Sequence, residues 1–338
     1  MTTRYILFAL VAGCAISPDP ADPADEAVDY LTDAAAPACP TSPGQWCTER
    51  APPVSPSPLL HSVFAIAADN VFAVGTSGTI FHRDSKAWSV QSSGTGLNLL
   101  AVWASSDSDV WAGAEAPSSG TLPPQTLLHF NGTAWSLVTA PGTPITDINA
   151  VWGSSSTDVW FVGSTVATHW DGAAFKQFNL TGTLLAVSGT GAKDVWLAGE
   201  NFQLLHFDGT GWSTFSPSPG PASQALFTVL PLGATDVWVT DGTLGKETMH
   251  FDATRTWTAF GTLATLGGKL TSTTFNGLAP RSSTDIWGAG QSRVGHWNGT
   301  AWTITQPFGA NVSLQSISIA AGNGWIVGEN ALIGHQTF

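Results

Sequence analysis

Positive charge is scarce in this chain. Lys and Arg together number 11 against 24 Asp and Glu, a formal net charge of −13 over 338 residues. Binding to phosphate backbones rests on clustered cations, so a nucleic-acid partner is disfavoured. Apolar residues at three- and four-residue spacing are missing, which excludes a helical solenoid. Long apolar runs are missing too: the stretch Tyr5 to Gly13 is too short for a membrane-spanning helix. No Ser nucleophile elbow, His-Glu-x-x-His or phosphate-binding loop occurs, so the common hydrolase, metalloprotease and nucleotide chemistries have no local signature. Tyrosine is nearly absent, with Tyr30 alone beyond the first 14 residues.

What the chain has instead is tryptophan, 16 of them, spaced by a repeat. Its core stands at Asp109-Val110-Trp111, Asp158-Val159-Trp160, Asp194-Val195-Trp196 and Asp236-Val237-Trp238, with weaker copies at Asn70-Val71-Phe72, Asp285-Ile286-Trp287 and Asn323-Gly324-Trp325. The seven copies are 39, 49, 36, 42, 49 and 38 residues apart. Short runs rich in Val, Trp, Phe and Thr between Gly, Asp-Gly and Asn-Gly read as strands joined by tight turns. Each unit resolves into four strands: a Leu-x-Ala-Val-Trp-like strand, the Asp-Val-Trp strand, a strand ending in His-x-Asp or His-x-Asn, and a strand opened by an aromatic residue such as Trp135, Phe175 or Trp302. Between the last two, Asn131-Gly132, Asp171-Gly172, Asp208-Gly209 and Asn298-Gly299 are expected to make two-residue hairpin turns, since Gly and Asn tolerate positive φ.

Four-stranded units of this length, repeated radially, are the blades of a β-propeller. The fold expected is all-β, with seven blades. The seventh unit stops at His335-Gln336-Thr337-Phe338, short of its fourth strand, while Trp46-Cys47-Thr48-Glu49-Arg50 offers an aromatic-led strand at the other end. The N-terminal strand is therefore expected to complete the last blade and close the ring, removing the open edges that invite aggregation.

Residues 1–13 read as an export signal, with one cation at Arg4 and small residues before Cys14. Val11-Ala12-Gly13-Cys14 resembles the lipobox of bacterial lipoproteins, which implies lipidation of Cys14 and a membrane anchor on an exported, outer-membrane, surface or periplasmic protein. Residues 14–42 are rich in Pro, Ala and acid, a composition expected to form a disordered tether. The propeller then spans 43–338. Export makes a Cys39–Cys47 disulfide the expectation, pinning the closing strand; two cysteines alone are a poor metal site.

Seven histidines share one repeat position: His82, His129, His169, His206, His250, His296 and His335. Spread round a ring they cannot converge on one ion, so each is expected to serve its own blade, and the repeated Asp to bond local backbone amides. Function is expected where the repeat is broken, on the face carrying the second-to-third-strand loops and the inter-blade connections. The expanded segments there are Glu115 to Gln125, Thr240 to Glu247, Ser216 to Gln224 and Gly261 to Thr273. Glu115, Glu200, Asp241, Glu247 and Glu329 fall on the same face, an acidic mouth suited to a cationic partner or to Ca²⁺. The plainer reading is a solvated rim of loop acids.

The His-x-[Asp/Asn]-Gly-x-x-Trp pattern resembles the Asp-box (BNR) repeat of sialidase-type propellers, with His in place of Ser and a shorter Asp–Gly spacing. The general architecture also looks like that of repeat lipoproteins and photosystem-assembly propellers. The sialidase resemblance would imply an Arg triad and a Tyr nucleophile, yet Tyr30 lies in the tether, so that chemistry does not carry over and no catalytic residue is assigned. The chain reads as a monomeric module for a protein or other ligand, leaning away from an enzyme. A glycan-binding lectin, or a glycosidase or lyase using carboxylates such as Asp241 and Glu200, are the alternatives.

Overall fold

The computed structural model describes residues 39, 43–85, 87–117, 127–140, 147–215, 225–241, 247–252, 256–261, 263–266, 269–272 and 274–338, with side chains described for all of these but 247 and 259–272. The expected export signal, Cys14 and nearly all of the expected 14–42 tether lie outside the described residues, as do 118–126, 216–224 and 242–246. Residues 38–338 fall in one compact unit.

Seven four-stranded antiparallel sheets make a seven-bladed β-propeller. Blades 1 to 6 span 60–92, 99–138, 150–179, 184–214, 226–261 and 277–305, each a simple meander. Blade 7 takes three strands from 314–337 and its fourth from Cys47–Glu49, with Cys47 opposite His335 and Glu49 opposite Ile333. The N-terminal strand closes the ring. Gly44 N–H donates to the Thr337 carbonyl (2.9 Å) and Ala331 N–H to the Pro58 carbonyl (2.7 Å), so the seam is stitched on both sides.

First strands of successive blades pack against one another all the way round, blade 7 against blade 1, and so line the axis. Between blades the core is aromatic. The second-strand aromatic of one blade meets the fourth-strand aromatic of the next: Phe72 with Trp135, Trp111 with Phe175, Trp160 with Trp212, Trp238 with Trp302 and Trp325 with Trp88. Trp287 meets Trp46 at 6.1 Å, edge on, so the N-terminal strand supplies the aromatic that the seventh repeat lacks. Trp160, Trp196, Trp238 and Trp325 are among the largest fully buried side chains, each removing a large apolar area from water.

Two expectations need correction. The third-to-fourth-strand turns of blades 2, 3, 4 and 6 contain four residues, not two: Trp170 pairs with Phe175, and the Asp171 carboxylate accepts from the amides of Ala173 (2.9 Å) and Ala174 (2.7 Å). The same turn recurs at Asn131, Asp208 and Asn298, with the following Gly at φ near +90°. The side-chain oxygen satisfies two turn amides at once, which a two-residue turn has no need for. The run Gly261 to Thr273 is not plain loop either: Leu263–Leu266 pairs with Lys269–Ser272 as an added hairpin between blades 5 and 6.

Candidate functional site

The repeated histidines and aspartates belong to the scaffold. In every blade the imidazole Nε2 meets Oδ1 of the residue opening the second strand, from 2.6 Å (His129–Asp109, His169–Asp158) to 3.0 Å (His82–Asn70). Each ring also stacks on the neighbouring second-strand aromatic, with centroids 4.0 Å apart for Phe72–His82 and 4.4 Å for Trp160–His169. The carboxylate partners differ from the expected backbone amides. Asp109, Asp158 and Asp194 accept from Ser105, Ser154 and Thr190, four residues earlier, and Asp194 and Asp285 also accept from the indole N–H of Trp196 (2.8 Å) and Trp287 (3.0 Å). Burial raises the Asp158 pKa, but the bonds from His169 and Ser154 outweigh it and hold the carboxyl below its usual range. Asp194 behaves likewise through Thr190 and His206.

The axial mouth on the loop-rich face has a different construction. In five blades the first strand begins with a β-bulge, and its register shifts across Leu60/Ser62, Leu99/Ala101, Leu184/Ala186, Leu226/Thr228 and Leu314/Ser316. The leucine on the near side is fully buried in each case. The bulged residue is turned out of the core: His61, Leu100, Leu185 and Gln315 are half-buried, and Phe227 is 40% exposed. Bulges bend a strand and re-aim side chains in this way. In blades 3 and 6 the same place is taken by Asn149 and Asn276, which bond across to the carbonyls of Leu184 (2.7 Å) and Leu314 (2.8 Å) of the next blade.

The rim acids stand beside these bulges. Glu115, Glu200 and Glu329 each follow a second strand and donate their backbone N–H to Asn98 (2.8 Å), Thr183 (2.9 Å) and Ser313 (3.1 Å), the residues just before the first strands of their own blades. Glu115 also accepts from Asn98 Nδ2 (2.8 Å). Burial pushes the His61 imidazole below its ordinary pKa, partly offset by the charge of Glu115. Asp147, in the connection to blade 3, accepts from the Ala116 amide (2.9 Å) and adds an acid to this face. Asp241 ends a second strand and is buried, whereas Glu200 is exposed. The side chain of Glu247 lies outside the described residues. Among the described residues no three of these carboxylates gather as a Ca²⁺ site would require; they are distributed round the rim. Sequence reasoning placed the acids but missed Phe227, His61 and Asp147. Phe227 was detectable as the aromatic that stands two residues before the first-strand Val of blade 5, where blades 2 and 4 carry Leu.

The sulfur atoms of Cys39 and Cys47 are joined as a disulfide across a Cα separation of 5.5 Å, beside the closing strand.

No protein-family model matches the chain, and no curated protein matches it. Solved structures do, at the level of fold. YCF48 bound to D1 peptide is 15% identical with a TM-score of 0.65, over 87% of this chain and 97% of that one. YCF48 from Cyanidioschyzon merolae is 14% identical with a TM-score of 0.66, over 87% and 99%. A catalytically inactive virginiamycin B lyase from Staphylococcus aureus, with quinupristin, is 12% identical with a TM-score of 0.65, over 87% and 100%.

Proposed function

We propose that this protein is an exported, lipid-anchored binding module that captures a cationic peptide segment bearing an apolar side chain at the axial mouth of its loop-rich face. The five first-strand bulges carry the reading. They turn Leu100, Leu185 and Phe227 out of the core at one end of the axis, inside a rim of Glu115, Asp147, Glu200 and Glu329. A few apolar anchors among polar groups, inside a charged rim, are the layout of protein recognition surfaces, where the anchors supply affinity and the rim steers approach. A structural neighbour of the same fold is described as bound to a peptide, which is consistent with this use of the architecture. The anchor rests on Val11-Ala12-Gly13-Cys14 and on the acidic, Pro-rich stretch that follows.

The test is a peptide-library selection on the full chain, followed by affinity measurement of the enriched peptides. Enriched sequences should pair Lys or Arg with a large apolar residue. Phe227→Ala should weaken them by about tenfold or more, the range of an interface anchor, with the melting temperature unchanged. Enrichment of neutral or acidic peptides, or indifference to Phe227→Ala, would overturn the reading. Incorporation of a labelled fatty acid in a bacterial host, lost in Cys14→Ser, checks the anchor separately.

A further inference from the structure

The closing strand brings together three metal-ligating side chains that are far apart in sequence. One ligand atom each from Cys39, Cys47 and His335 lies within 4.8 Å of the others. The two sulfurs are bonded to each other in the disulfide, and once that bond is reduced they have only to part to the roughly 3–4 Å kept by ligands about 2.0–2.3 Å from a shared Zn²⁺. The imidazole is fixed for this task. Its Nε2 meets Asn323 Oδ1 at 2.8 Å, and the ring stacks on Trp325 at 4.0 Å. An acceptor on Nε2 holds a ring proton there, so that Nδ1 is the nitrogen the neutral imidazole offers to a metal. Nδ1 is buried and lies 3.2 Å from Glu49 Oε1.

We propose that Cys39, Cys47 and His335 form a site for a borderline cation, Zn²⁺ being the best match, which takes over from the disulfide when the cysteine pair is reduced. Two thiolates and one imidazole, with a fourth place left for water, suit a tetrahedral ion of this class and not Ca²⁺ or Mg²⁺. In the exchange, an external dithiol gives two electrons and two protons to the S–S bond and itself closes to a disulfide. The two thiol protons then pass to solvent as the sulfur–metal bonds form. The seam of the ring is thereby stapled in either redox state.

The experiment uses the full chain with Cys14→Ser, so that the pair supplies the remaining thiols. After reduction by a phosphine and removal of the reductant without air, Co²⁺ is titrated as a spectroscopic probe and then displaced by Zn²⁺. One Co²⁺ per chain should bind, with thiolate-to-cobalt charge-transfer absorption and the visible bands of a tetrahedral ion. The oxidised chain should show neither. Cys39→Ser should abolish the bands, and His335→Gln should weaken binding by about tenfold or more. As a check free of substitutions, the Nδ1 nitrogen resonance of His335 in the reduced parent should shift on Zn²⁺ addition. A reduced, folded protein without the charge-transfer band overturns the proposal. So does undiminished affinity in His335→Gln, or a stationary His335 resonance.

Discussion

Asp158 shows what a single residue does for a blade. It is 7% exposed, and its carboxylate holds His169 at 2.6 Å and the Ser154 hydroxyl, while the imidazole stacks on Trp160. Removing the carboxylate strands both donors in a half-buried setting. Asp158→Ala should cost about 2–4 kcal/mol, the range for a broken buried polar network. Asp158→Asn should cost less than about 1 kcal/mol, because it retains an acceptor oxygen of the same geometry. Blades 1 and 7 already use that solution, with Asn70 meeting His82 at 3.0 Å and Asn323 meeting His335 at 2.8 Å. Denaturant unfolding of the two variants checks this, and equal losses would mean that the negative charge, not the acceptor, matters. The sequence revealed which seven histidines were equivalent, because they recur at one offset. It could not reveal that their partners are the repeated Asp and Asn, since that pairing joins strands through a register that only folding establishes.

At the scale of elements, the first strands interlock by pairing large residues with missing side chains. The Trp103 ring of blade 2 lies where a Cβ on Gly153 of blade 3 would stand, 2.7 Å away, and the Trp152 ring of blade 3 lies 2.5 Å from the same point on Gly189 of blade 4. Backbone carbonyls crowd the same positions, Asp158 at 2.6 Å and Asp194 at 2.5 Å. Gly189→Ala should therefore destabilise by about 1–3 kcal/mol, as overpacking does. Trp152→Leu in the same chain should recover part of that loss and not all, since the carbonyl clash remains. A double-mutant cycle by chemical denaturation measures the coupling, and strict additivity would show that the ring–glycine contact is not the cause. Strand order and blade boundaries were legible from the Asp-Val-Trp spacing and from Trp46, because a buried aromatic every blade is a sequence-level constraint. The bulges at His61, Leu100, Leu185, Phe227 and Gln315 were not. A bulge inserts one residue without changing composition, and the run Leu226-Phe227-Thr228-Val229 reads as unbroken strand.

For the molecule as a whole, ring closure depends on the seam where the strand Cys47–Glu49 joins blade 7 to blade 1, and one carboxylate makes that seam acid-sensitive. Glu49 of the closing strand accepts at Oε2 from Trp88 Nε1 (2.8 Å) and Arg83 Nε (3.2 Å) of blade 1, while Oε1 faces His335 of blade 7. Arg83 in turn lies 5.1 Å above the Trp325 ring. Burial raises the Glu49 pKa, but His335, the Arg83 charge and the Trp88 bond outweigh it, so the folded carboxyl titrates below its ordinary value. A depressed folded pKa means that the unfolded chain takes up the proton first. Glu49 thus contributes its full stability above about pH 4.3, the ordinary Glu value, and loses it as the pH falls towards the folded value. The exposed Asp208, held at a pKa of about 2 by Thr210 and Gly211, keeps its turn charged well below that range. Protonating Glu49 removes the ion pair that joins blades 7 and 1 without touching the first strands of blades 2 to 4. Amides of Cys47–Glu49 and Ile333–Thr337, corrected for intrinsic exchange, should therefore lose protection as the pH falls below about 4.3, earlier than those first strands do. Glu49→Gln should cost about 1–3 kcal/mol at neutral pH and flatten this seam-specific dependence. Unchanged pH dependence at the seam in Glu49→Gln would assign the acid sensitivity to the buried Asp residues of the blades, and ring closure would then rest on strand pairing and Trp46 alone.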